Sequence, residues 1–221
     1  MIVTLDGPAG TGKSTVAKRV AEQLGFDFLD TGAMYRAVGL AALRRDADMA
    51  DARELAWIAG KCRIEFDWEK TPPELVLNGE PVGGKLRDAA PTAAASHVAA
   101  VPEIREILVE QQQKIGANAP NLVTEGRDQG TVVFPDAEYK FFLTADPEER
   151  ARRRADQLRR RGEKVDVDCI RREMIERDRR DSTRKVAPLK AADDAIVIDT
   201  TELTEDDVVR RIVGAVQQAL A

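Results

Sequence analysis

The chain opens on a pattern that leaves it few folds. Ile2, Val3 and Leu5 form a short apolar run, and Gly7-Pro8-Ala9-Gly10-Thr11-Gly12-Lys13-Ser14-Thr15 follows at once. Val16, Ala17, Val20, Ala21 and Leu24 then recur at helical spacing until Gly25. The central stretch fits GxxxxGK[ST], and its setting of buried strand, loop and helix is the one that gives the motif meaning. Its glycines let consecutive backbone N–H groups turn into one concavity, and the helix behind adds partial positive charge. The whole stretch from Gly7 to Thr15 is expected to cradle the phosphates of a nucleoside triphosphate. Lys13 is expected to reach the β- and γ-phosphates, and the Ser14 hydroxyl to ligate Mg²⁺.

The alternation continues along the chain. Residues 26–30 read as a second short strand, and residues 33–45 as a helix with Met34, Val38, Ala41 and Ala42 on one face. Residues 121–125, 139–143 and 195–199 read as further strands, and residues 205–220 as a closing helix that includes Leu220. Short strands alternating with helices predict an α/β fold with a parallel sheet. Between residues 62 and 105 the rhythm changes. Ile64, Phe66 and Trp68 alternate with charged residues, and Asn78-Gly79 between two short runs signals a hairpin with Pro81 in its edge arm. An inserted subdomain with a small antiparallel sheet is expected there, followed by an Ala-rich helix at 89–100 and another beginning at Pro102.

Composition narrows the function. With 221 residues and 43% hydrophobic content the chain can build one large domain with a substantial insert. A net charge of -5 disfavours wholesale binding of nucleic acid or a membrane surface. His97 is the single histidine, which excludes a multi-histidine metal site. Cys62 and Cys169 lie far apart and read as inert thiols. No apolar run is long enough to span a bilayer, and a cytoplasmic protein is expected.

Thirteen arginines crowd residues 148–184, broken by Gly162 after Arg159-Arg160-Arg161. A solvated face accounts for several of them, because Glu149, Asp156, Glu163, Glu173, Glu176, Asp178 and Asp181 are interleaved. The same acids, and the lack of interleaved aromatics, argue against a nucleic-acid arm. A lid over phosphates suits the remainder: guanidinium is planar, always charged and forked toward phosphate oxygens. Asn-Lys-x-Asp, the guanine-reading segment of a GTP switch, is missing, so a small kinase fits better.

Three further blocks carry a family resemblance. They are Leu29-Asp30-Thr31-Gly32-Ala33-Met34-Tyr35-Arg36, Glu125-Gly126-Arg127-Asp128-Gln129-Gly130-Thr131-Val132-Val133-Phe134-Pro135 and Arg177-Asp178-Arg179-Arg180-Asp181-Ser182-Thr183-Arg184-Lys185-Val186-Ala187-Pro188-Leu189. With the first loop they make the chain resemble the bacterial cytidylate kinases nearly end to end. The resemblance implies a three-layer P-loop kinase fold in one domain. Its core would comprise residues 1–61, 106–147 and 185–221, with a monophosphate-binding insert at 62–105 and an arginine-rich lid at 148–184. It implies ATP-dependent phosphorylation of CMP and dCMP. Thr31, Arg36, Arg127 and Arg184 match positions that hold the acceptor phosphate. Ser96, Arg105 and Asp128 match positions that read cytosine, where a carboxylate accepts from the exocyclic amine and Arg and Ser donate to N3 and O2. Arg177 and Asp181 match positions that grip the ribose hydroxyls. Lys13, Arg127, Arg184 and Arg154 are the expected catalytic set, with Arg150 and Arg153 also at the start of the lid. Two residues depart from the family pattern: Glu125 stands where Asp is frequent, and Gln129 where an apolar residue is frequent. Nothing in the sequence demands an oligomer, and a monomer is expected.

Overall fold

A computed structural model describes residues 1–218, so Leu220 lies outside the described residues. The chain runs β1 (Ile2–Asp6), α1 (Lys13–Leu24), β2 (Asp27–Asp30), α2 (Thr31–Leu43), α3 (Ala52–Lys61), β3 (Ile64–Asp67), β4 (Glu74–Leu77), β5 (Glu80–Pro81), α4 (Ala89–Val98) and α5 (Pro102–Asn118). It continues through β6 (Leu122–Glu125), a π-turn (Gln129–Val133), β7 (Tyr139–Thr144), α6 (Pro147–Arg159), α7 (Val167–Ser182), β8 (Ile196–Asp199) and α8 (Glu205–Gln217). Five strands hydrogen-bond in the order β2-β6-β1-β7-β8. β1 pairs in parallel with both β6 and β7, and β7 with β8. The α/β architecture read from the sequence is the one observed.

β1 is central and buried on both faces: Val3 and Leu5 are fully buried on one, and Thr4 between them on the other. α1 turns Val16, Ala17, Val20 and Ala21 inward and stops at Gly25, whose φ of 67° closes the helix in the left-handed conformation. α8 starts from a capping box between Thr204 and Asp207 and buries Val208, Val209, Ile212, Val213 and Val216.

The polypeptide forms two compact units. One comprises Met1–Asp27 and the chain from Asn121 onward, the other Phe28–Pro120. The second unit holds the antiparallel sheet β3-β4-β5, with Asn78 and Gly79 at positive φ in the hairpin turn and Pro81 in the edge strand. It is wider than the 62–105 insert expected from the strand pattern. The reason lies in α2. Ala37, Val38, Ala41 and Ala42 are buried along it, and Gly39 sits where a Cβ would come within 2.9 Å of the Ala94 Cβ on α4. A glycine facing an alanine lets the two helices approach closely, so α2 joins the insert in one packed body.

α2 begins at Thr31, two residues earlier than its apolar spacing suggests, because the Asp30 carboxylate accepts from the Ala33 N–H at 2.9 Å and caps it. α3 was not evident from apolar spacing. Its signal was the cap Asp51, which accepts from Arg53 and Glu54 N–H.

Candidate active site

The first unit carries the phosphate loop. Gly7, Gly10 and Gly12 all adopt positive φ, of 142°, 79° and 88°. At Gly7 a Cβ would lie 2.1 Å from the Leu143 carbonyl oxygen, and at Gly10 it would lie 2.6 Å from Met174 Cε. Glycine is therefore required at both positions by conformation and by space. Lys13 starts α1 and is only 5% exposed. Its ammonium donates to the Pro8 carbonyl at 2.6 Å, and so folds over the loop it is expected to serve. Burial, followed by the repulsion of Arg127, lowers the Lys13 pKa to about 7, against the pull of Glu125 and Asp6. Arg177 adds further repulsion.

Ser14 Oγ donates to Glu125 Oε1 at 2.5 Å. Glu125 closes β6 beside β1 and is buried. A hydroxyl and a carboxylate in contact are hard oxygen donors of the kind that Mg²⁺ prefers, so the residues present fit the metal carried with ATP. The contact of Glu125 with Ser14 was not disclosed by its sequence position alone.

The residues after β6 are pinned from several sides. Arg127 Nε donates to Asp181 Oδ2 at 3.1 Å, and Arg184 Nε donates to the Asp181 carbonyl at 3.2 Å. Arg127, Asp181 and Arg184 are thereby gathered, although 54 residues separate the first two. Asp181 and Arg177 share α7, yet the pair seen for Asp181 is the longer-range one to Arg127. Asp128 is 3% exposed and precedes the π-turn, whose Val132 and Val133 amides donate to its carbonyl at 2.9 and 3.2 Å. The buried Asp6 carboxylate accepts from Gln129 N at 2.9 Å and Gly130 N at 2.8 Å. Burial raises the Asp6 pKa to about 6, and the two amide bonds oppose the rise. Sequence reasoning passed over Asp6 because its only visible role was to precede the loop.

α6 and α7 are tied to the phosphate loop. Arg150 Nη1 donates to the Ala9 carbonyl at 3.1 Å and pairs with Asp178 of α7, while Nε reaches the Ala145 carbonyl at 3.0 Å. The Ala9 N–H donates to Asp178 Oδ1 at 3.4 Å. Arg150 is therefore committed to joining the loop to α6 and α7. Arg153 donates to Glu149 and to Thr200, whose hydroxyl lies 3.0 Å from the Thr144 carbonyl oxygen and 3.4 Å from that of Thr11. Arg154 Nη1 donates to Gln157 Oε1 at 2.5 Å. α6 and α7 are joined through Gly162 at φ 80° over a small core of Ala151, Ala155, Ile170 and Met174.

The second unit carries the other expected residues. Thr31 is buried at the start of α2, and Arg36 one turn on donates to Asp30 Oδ2 at 2.8 Å. Arg87 lies 3.7 Å from the same carboxylate. Arg105 of α5, 4% exposed, places its guanidinium 5.5 Å from the Tyr35 ring centroid and donates to the Ala99 carbonyl at 3.3 Å. Ser96 is half-buried on α4, and its neighbour His97 is exposed.

Sequence comparisons show the family to which the chain belongs. The sequence model of the cytidylate kinases matches residues 3–218. The chain belongs to the cytidylate kinase family. A cytidylate kinase from Caldanaerobacter subterraneus subsp. tengcongensis is 47% identical over 98% of this chain and 94% of its own length. One from Aeromonas salmonicida is 43% identical over 99% and 95%, and one from Azotobacter vinelandii 44% identical over 98% and 95%. Among solved structures, an uncharacterised protein from Eubacterium ventriosum superposes with a TM-score of 0.54 at 15% identity, covering 99% of this chain and 98% of that one. A gluconokinase from Sinorhizobium meliloti gives 0.50 at 13% identity, covering 98% and 91%. These two likenesses concern the fold. Among the described residues no helix of this cytidylate kinase family member is long and apolar enough to cross a membrane.

Proposed function

We propose that the protein transfers the γ-phosphoryl group of ATP to CMP and dCMP, giving CDP and dCDP. The observation that carries this reading is a cluster at the phosphate loop: Lys13 is buried there, and Arg127 and Arg177 stand near enough to add their repulsion to the effect of burial, against the pull of Glu125 and Asp6. Such a cluster is costly by itself and is relieved by anions, and a phosphoryl transfer must bring two anionic groups together.

The acceptor is a phosphate monoester whose second pKa is about 6, so it is largely dianionic near neutrality. It needs no strong base, which fits a chain whose one histidine is exposed on α4. Gly7 to Thr15 would hold the ATP phosphates, with Lys13 on the migrating group. Ser14, backed by Glu125, would hold Mg²⁺ between the phosphates; the metal supplies charge neutralisation and alignment there. Thr31, Arg36, Arg127 and Arg184 would bind the acceptor phosphate. Arg177 and Asp181 would take the ribose, and Ser96, Arg105 and Asp128 the cytosine. Uracil presents an acceptor where cytosine presents its amine, so a buried Asp128 would reject it.

Residues 62–105 would supply the acceptor-binding insert and residues 148–184 the lid that excludes water, with Arg154 a member of the catalytic set at the start of that lid. We take the enzyme to act as a cytoplasmic monomer. The test is Lys13→Ala: a folded variant should form no detectable CDP from CMP and MgATP, and near-normal turnover would refute the proposal.

A further inference from the structure

Asp128 stands between two residues that are each anchored far from it in sequence. On one side, Arg127 is held by Asp181 at 3.1 Å. On the other, Gln129 is held twice: its backbone N–H donates to Asp6 Oδ1 at 2.9 Å, and its side-chain Oε1 accepts from Thr124 Oγ1 at 2.9 Å. The second Asp6 oxygen takes the next amide, Gly130 N, at 2.8 Å. Gly130 runs close to β1, since a Cβ there would lie 3.0 Å from Thr4 Oγ1. Asp6, Gln129 and Asp128 are all nearly fully buried. A buried carboxylate that accepts two adjacent backbone amides fixes both peptide planes, and with them the direction of the preceding side chain.

We propose that Asp6 is a positioning residue for acceptor recognition, holding the Gln129 and Gly130 amides so that the Asp128 carboxylate is aimed at the pyrimidine. This rests on the reading of Asp128 as the base reader. The consequence is economical: the last residue of β1 before the phosphate loop also sets the turn that selects the acceptor. Gln129, one of the two departures from the family pattern, becomes a second brace on that turn through Thr124. Glycine at 130 keeps the turn close to β1.

The test is Asp6→Asn. An amide oxygen can accept one of the two N–H groups, while its NH₂ faces the other as donor to donor, so the turn loses one of its two holds without loss of side-chain volume. Steady-state kinetics with CMP and UMP at saturating MgATP should show the ratio of their kcat/KM values falling about tenfold or more. A ratio unchanged in Asp6→Asn, with both acceptors losing activity equally, would overturn the positioning role while leaving the wild-type preference for CMP intact. Failure of the wild-type enzyme to make CDP would overturn the acceptor reading and the positioning role together. Should Asp6→Asn not fold, amide hydrogen exchange on the wild type decides: strong protection of Gln129 and Gly130 N–H is expected, and exchange as fast as in open loops would overturn the proposal.

Discussion

Binding of ATP to this protein should take up a proton, and Lys13 is the group that accepts it. Its ammonium is buried at the mouth of the phosphate loop, and burial with the repulsion of Arg127 and Arg177 brings its pKa to about 7. Triphosphate oxygens beside the ammonium favour its charged form and restore the pKa toward the ordinary lysine value. At pH 8 the lysine of the protein alone is about nine-tenths neutral, so binding draws in close to one proton per site. The sign follows from which state holds more protons. The complex holds more, so affinity falls as pH rises through 7 and beyond, approaching tenfold, about 1.4 kcal/mol, for each pH unit. At pH 8 the nucleotide is fully ionised and Asp6, with a pKa of about 6, is a carboxylate before and after binding, so neither contributes. Titration calorimetry at pH 8 in two buffers of different ionisation enthalpy counts the protons. Lys13→Arg is the control, because guanidinium stays charged and should show no uptake. Zero uptake in the wild type, or equal uptake in Lys13→Arg, would refute the reasoning.

Three further outcomes follow from the geometry. Asp128→Asn should lower the kcat/KM preference for CMP over UMP by about tenfold or more, and an unchanged ratio would count against the residue as a base reader. Gly7→Ala forces a Cβ to within 2.1 Å of the Leu143 carbonyl at a φ of 142°, and should cost about 3 kcal/mol or more, seen as a large fall in Tm. Arg150→Ala leaves the Ala9 carbonyl and Asp178 without their shared partner, and should cost about 2 to 4 kcal/mol in thermal melts while raising KM for ATP more than for CMP; equal rises would contradict its role as the strut beneath the loop.

Local signals account for much of the fold. The phosphate loop, the Asn78-Gly79 hairpin, the start of α5 at Pro102 and the stop at Gly162 each follow from backbone preferences that act within a few residues. What the sequence withheld is tertiary. Asp6 lies 123 residues from the first amide it holds, and the π-turn it stabilises has no periodic signature. The close packing of α2 on α4 passes through Gly39 and Ala94, a contact that apolar spacing cannot report. Arg177 and Asp181 stand one turn apart along α7, but nothing in that spacing announces that Asp181 meets Arg127 from the segment after β6. Arg150 looks interchangeable with its neighbours Arg153 and Arg154 in a basic run, and only its burial beside Ala9 and Asp178 separates them.

The central claim is that one chain joins a triphosphate loop to a cytosine-selective acceptor site. It is tested most directly by offering the folded protein ATP and Mg²⁺ with CMP, dCMP, UMP, AMP and shikimate in parallel and measuring phosphorylated product. CMP and dCMP should be converted rapidly, UMP slowly, and AMP and shikimate not at all. Conversion of AMP or shikimate ahead of CMP, or ATP binding without transfer to any acceptor, would contradict the account.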